Sequence, residues 1–133
     1  EACRTADGVT STSDLVATHR ITVVADQIYY IEAFGEASGG ANGQLEIGVR
    51  WYNAAGALIS GSFIALSGAP TVFTRWSTTV TAPSLAVSAE FVVRVTGHTI
   101  GTWCVDDAWW VRLDSSWELS SIKHLSSDYA SHR

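Results

Sequence analysis

Leu45-Glu46-Ile47-Gly48-Val49-Arg50-Trp51-Tyr52 alternates without a break: Leu45, Ile47, Val49 and Trp51 on one side, Glu46, Gly48, Arg50 and Tyr52 on the other. A repeat of two belongs to a strand with one buried face, because successive side chains on extended backbone point to opposite faces. Ser38 to Gly43 (SGGANG) precedes it and Asn53 to Gly56 (NAAG) follows, both rich in turn formers. Ala57 to Leu66 reads as its hairpin partner, and Thr71 to Val80 as a strand with a bulge or bend, ended by Ala82-Pro83. Ala89 to Thr96 alternates again, and Trp103 to Leu113 is the last long strand. Upstream, Ile21 to Val24 and Ile28 to Gly35 flank the turn Ala25-Asp26-Gln27. No useful length of helical repeat appears before Ser115, and short strands with turns between them mean a sandwich or barrel. The expected organisation is a lead-in over 1–20, irregular or a trimmed first strand, then a β-sandwich domain over 21–114. A Ser-rich tail or linker over 115–133 follows, either one amphipathic turn around Leu119, Ile122 and Leu125 or a connector to a following segment.

At 133 residues and 47% hydrophobic, the chain suffices for one domain with one core. Charged residues are 16% of the total, the net charge is -5, and the basic residues are scattered. Nucleic acid is excluded as a partner, since phosphate binding needs clustered Lys and Arg. No run of about 18 apolar residues exists, which excludes insertion into a membrane as a helix. Met is absent, as in a processed chain or a piece of a longer polypeptide with neighbouring domains. Cys3 and Cys104 are either a terminal disulfide made in an oxidising compartment or two small buried thiols.

An enzyme needs a constellation, and none is visible. There is no nucleophile elbow, P-loop, dinucleotide fingerprint or H-E-x-x-H. His19, His98, His124 and His132 share no metal-ligand spacing. The one adjacent carboxylate pair is Asp106-Asp107, and on a regular strand these point to opposite faces, which rules out a glycosidase pair across one cleft. The expectation is a binding domain, not an enzyme.

Two stretches carry a family resemblance. The first is Val49-Arg50-Trp51-Tyr52-Asn53-Ala54-Ala55-Gly56; the second runs from Trp76 through Val80-Thr81-Ala82-Pro83 and Ala86 to Val95, closing on Val105-Asp106-Asp107-Ala108. Their order resembles the galactose-binding-like jelly rolls, in particular the carbohydrate-binding modules attached to bacterial glycoside hydrolases. It is similar also to domains in minor tail proteins of actinobacterial phages. The resemblance implies an all-β jelly-roll sandwich of two antiparallel sheets, extracellular or on a virion, that attaches a larger protein to a polysaccharide or cell-surface glycan. In the phage setting it implies a structural or assembly domain contacting neighbouring chains or the host surface. The chain departs from the family at its start, where an "NpgFE"-type strand is replaced by a short polar stretch.

Within this frame the resemblance implies a structural Ca2+ held by Asp106 or Asp107 through hard oxygens. The other reading of these acids is a carboxylate capping backbone amides near the lead-in. A regular strand puts Trp103, Val105, Asp107, Trp109 and Val111 on one face; a bulge transfers the inward place to Asp106. Six tryptophans are available as core or as sugar platforms, and Trp51 and Trp76 fall at packing positions. Of the adjacent Trp109 and Trp110 one must face outward. Trp110 is the expected exposed platform, with Trp103 or Trp117 next; otherwise it packs under the tail or against another subunit of a homo-oligomer. Glu46, Arg50, Tyr52 and Arg94 lie on the non-core side of their strands. They form either a sugar-binding polar patch or cross-strand ion pairs on a solvated sheet.

Overall fold

The structure is a computed structural model describing residues 2–6, 13–66, 68–113 and 119–124. Its elements are β1 (Ala2–Thr5), β2 (Ser13–Ala17), β3 (Ile21–Thr22), β4 (Ile28–Ser38), β5 (Gln44–Tyr52), β6 (Leu58–Ala65), β7 (Thr74–Thr81), β8 (Ser88–Thr96), β9 (Thr102–Leu113) and β10 (Leu119–His124). One antiparallel sheet has the order β1-β9-β4-β7, with β10 also on β9; the other has the order β2-β8-β5-β6, with β3 also on β8. No helix of the described residues is long and apolar enough to cross a membrane.

The β5–β6 hairpin shows how the turn residues act. Asn53 accepts at Oδ1 from the amides of Ala55 and Ala57, and its carbonyl accepts from Gly56 N–H. Gly56 takes a φ of 81°, a conformation open to glycine at little cost. The reversal fixes the register so that Leu45, Ile47, Val49 and Trp51 all enter the core. There Phe91 and Trp110 stack in parallel with centroids 4.3 Å apart. Tyr29 is tilted against Trp51, Phe91 and Trp110 at 6.2, 5.8 and 5.9 Å, so that one aromatic cluster spans both sheets. Trp51 donates to Ser62 Oγ and Trp103 to the Asn42 carbonyl, which lets both indoles be buried with their donors satisfied.

Two segments differ from expectation. The lead-in contributes β1 to one sheet and β2 to the other, so part of 1–20 belongs to the sandwich. In the tail, 119–124 forms a strand on β9 where either an amphipathic turn or a connector was expected; Trp117 and Leu125 lie outside the described residues. Local pattern reveals none of these three strands, because all are short and gain their order from a long neighbour's free edge. Of the two readings of the cysteines, the disulfide is the one found. Cys3 and Cys104 are cross-strand partners in the β1–β9 register and are bonded.

Candidate functional site

The geometry of the site begins with one extra residue in β9. Glu32 pairs with Trp109 and Phe34 with Asp106, so Asp107 and Ala108 together oppose Ala33. Asp107 sits at φ 50°, a left-handed conformation that Asp tolerates better than most residues, and its amide donates to Asp106 Oδ1. Before the bulge Trp103 and Val105 face the core; after it Ala108 and Trp110 do. The expected exposed platform, Trp110, is therefore corrected: it is 2% exposed and stacked on Phe91. Its neighbour Trp109 is the outward member of the pair. The bulge also removes the strict alternation used above to separate the two carboxylates.

Outside the β9–β4–β7 sheet Trp109 meets a cluster that sequence reasoning missed. Tyr30 and Glu32 alternate on β4 away from buried Tyr29, Ile31 and Ala33. The Tyr30 and Trp109 rings are 5.6 Å apart at 54°. Between them Glu32 accepts Tyr30 Oη–H at Oε1 (2.7 Å) and Trp109 Nε1–H at Oε2 (2.8 Å). Arg75, on the edge strand β7 and 60% exposed, brings Nη1 to 3.6 Å from Glu32 Oε1. Phe34, half-buried, follows on the same side of β4, opposite Asp106. Three aromatic rings, a guanidinium and a carboxylate thus share the outer surface of this sheet. The available signal was the Asp-Asp pair in an otherwise apolar strand, where a bulge is the economical way to keep acids out of the core.

The other sheet's outer surface brings together Glu46, Arg50, Tyr52 and Arg94, as the alternation requires. It also pairs them off. Arg50 makes a two-pronged contact with Asp14 at 2.6 and 2.9 Å and lies 3.6 Å from Glu90. Its pKa is raised, first by the Asp14 hydrogen bond. Arg94 bonds Glu46 at 2.7 Å and stacks on Phe63, while Tyr52 donates to Glu90 and is covered by Arg20, 3.6 Å above its ring. Tyr52's pKa is raised, mostly by burial and then by its bond to Glu90. The strongest charges of this surface already face partners, and the faces of its two aromatic rings carry guanidinium groups.

Calcium takes six to eight oxygens. Among the described residues no three His, Cys, Asp or Glu side chains come together to hold an ion. Asp106 also commits one carboxylate oxygen to the Asp107 amide. Two carboxylates by themselves supply fewer oxygens than calcium takes, so an ion at Asp106 and Asp107 would also need backbone carbonyl, amide or water oxygens.

No protein-family model and no curated protein matches the sequence. Among solved structures the chain is similar to a family 16 carbohydrate-binding module, with TM-score 0.61 and 13% identity over 82% of this chain and 74% of that one. A CBM4 structure gives TM-score 0.60 and 14% identity over 83% and 69%. The enzymatically active domain of bacteriophage CBA120 tailspike protein 4 gives TM-score 0.53 and 14% identity over 77% of this chain, which spans 15% of that one. The fold is the jelly-roll sandwich of carbohydrate-binding modules.

Proposed function

We propose that the chain is a non-catalytic carbohydrate-binding domain of a larger extracellular or virion protein, and that the Trp109–Tyr30 surface takes a polysaccharide or cell-envelope glycan. The observation that carries this reading is the outward Trp109, tilted against Tyr30 5.6 Å away, on a sheet whose opposite side is core. Aromatic faces bury the apolar C–H side of a sugar ring, and a guanidinium such as Arg75 supplies N–H donors to adjacent hydroxyls. The fold shared with carbohydrate-binding modules supports it.

A glycan array followed by titration calorimetry tests it. Saturable binding to at least one glycan is expected. Trp109→Ala should weaken it by about tenfold or more, roughly 1.4 kcal/mol. Binding is expected to be equal in calcium and in chelator; a chelator-sensitive affinity would restore a calcium site at Asp106 and Asp107. An array without binding, or a Trp109→Ala protein that binds like wild type, sinks the reading.

A second reading is an assembly domain of a phage tail protein; a phage tailspike chain carries a similar fold over 15% of its length. Stable oligomers in sedimentation with Trp109 protected at the contact would select it.

A further inference from the structure

We infer that Glu32 is a positioning residue, one that sets the Trp109 and Tyr30 rings for the ligand and does not itself contact it. The inference rests on the glycan reading of this surface. Glu32 is 7% exposed, in the middle of an outer face whose neighbours are half-exposed. A carboxylate so placed has to be paired and hydrogen-bonded. Both its oxygens are committed, one to Tyr30 on its own strand and one to Trp109 on the next. Hydrogen bonds to an ionised acceptor are shorter and stronger than neutral ones.

An indole has a single donor, so anchoring Nε1 fixes which edge of Trp109 points into the sheet and which way its face looks. The phenol hydroxyl of Tyr30 is held by the same carboxylate, and the 54° tilt between the rings is thereby locked from below. Arg75 lies 3.6 Å from the carboxylate and balances its charge from β7. Three strands therefore converge on one buried acid. Its role is preorganisation: rings already fixed in the free protein lose less freedom when a ligand arrives.

Substitution separates positioning from contact. In Glu32→Gln the amide oxygen still accepts from Trp109, and the amide N–H donates to Tyr30 Oη, so the clamp survives without its charge. Glu32→Ala removes it. The near-ultraviolet circular dichroism of the free protein reports fixed aromatic rings, and glycan titration reports the consequence. Glu32→Ala should lose the part of the spectrum that Trp109→Ala loses and bind about tenfold more weakly, the preorganisation having gone. Glu32→Gln should recover most of both. Trp109→Phe keeps a ring but deletes the anchoring donor. It should bind as weakly as Glu32→Ala, and it serves as the readout if Glu32→Ala does not fold.

A Glu32→Ala spectrum equal to wild type overturns the inference. So does Glu32→Gln binding as weakly as Glu32→Ala while its spectrum stays wild type, because the carboxylate would then be holding the ligand. If wild type binds no glycan, the surface reading falls, and the spectra of the free proteins alone decide whether the clamp exists.

Discussion

Tyr52 is 8% exposed and donates its hydroxyl to Glu90, so ionising it would set two negative oxygens against each other in a half-buried place. Its pKa lies above the ordinary 10.0, from burial first and from Glu90 second. A raised tyrosine pKa means stability that is complete below pH 10 and lost as pH climbs through the folded value. Denaturant melts should show wild type losing more stability than Tyr52→Phe above that pH. At neutral pH Tyr52→Phe should be less stable by about 1 kcal/mol, the size of a net hydrogen bond. Parallel pH profiles for the two proteins would show that Tyr52 carries none of the alkaline loss. The residue scale is also where sequence reading was weakest. That Tyr52 and Arg50 face outward is fixed by alternation. Trp109 and Trp110 depend on one left-handed residue upstream, Asp107, and alternation cannot carry phase across a bulge.

Elements that carry their own pattern were legible: β5 and β8 alternate, and turn residues bound β4, β5 and β6. β1 and β10 were not, because a four-residue strand such as β1 has too little sequence to show a period and exists through its partner. β1 is held by pairing with Thr102 to Val105 and by the Cys3–Cys104 bond, which spans 101 positions. Closing so long a loop restricts the unfolded chain, and disulfides of this kind contribute about 2–4 kcal/mol. Reduction, or Cys3→Ser with Cys104→Ser, should lower the denaturant midpoint by a corresponding amount. Hydrogen exchange should quicken at Thr102 to Val105, where β1 protects the edge of β9, and stay slow in β5 and β8. Equal exchange before and after reduction would mean that strand pairing alone holds β1.

Across the whole molecule the two sheets share one core and present opposite kinds of surface. Outside β5 and β8, each arginine of the patch has an acid, and the rings of Tyr52 and Phe63 lie under guanidinium groups. A glycan landing there would have to break ion pairs before making hydrogen bonds. Outside β9 and β4, the acid lies on the outer face and accepts a hydrogen bond from each of two half-buried rings. The physical expectation is a double dissociation. Arg50→Ala with Arg94→Ala strands Asp14 and Glu46 and should cost about 1–3 kcal/mol of stability, since these pairs are half-buried and hydrogen-bonded. Sites on opposite sheets with no shared partners act nearly independently, so its glycan affinity should stay within about twofold of wild type. Trp109→Ala should do the reverse, keeping a cooperative melt and losing the ligand. Calorimetry and denaturant melts on the same three proteins decide it. Lost affinity in the arginine double variant, with affinity kept in Trp109→Ala, would move the ligand to Glu46, Arg50, Tyr52 and Arg94 and make their ion pairs the latch that it opens.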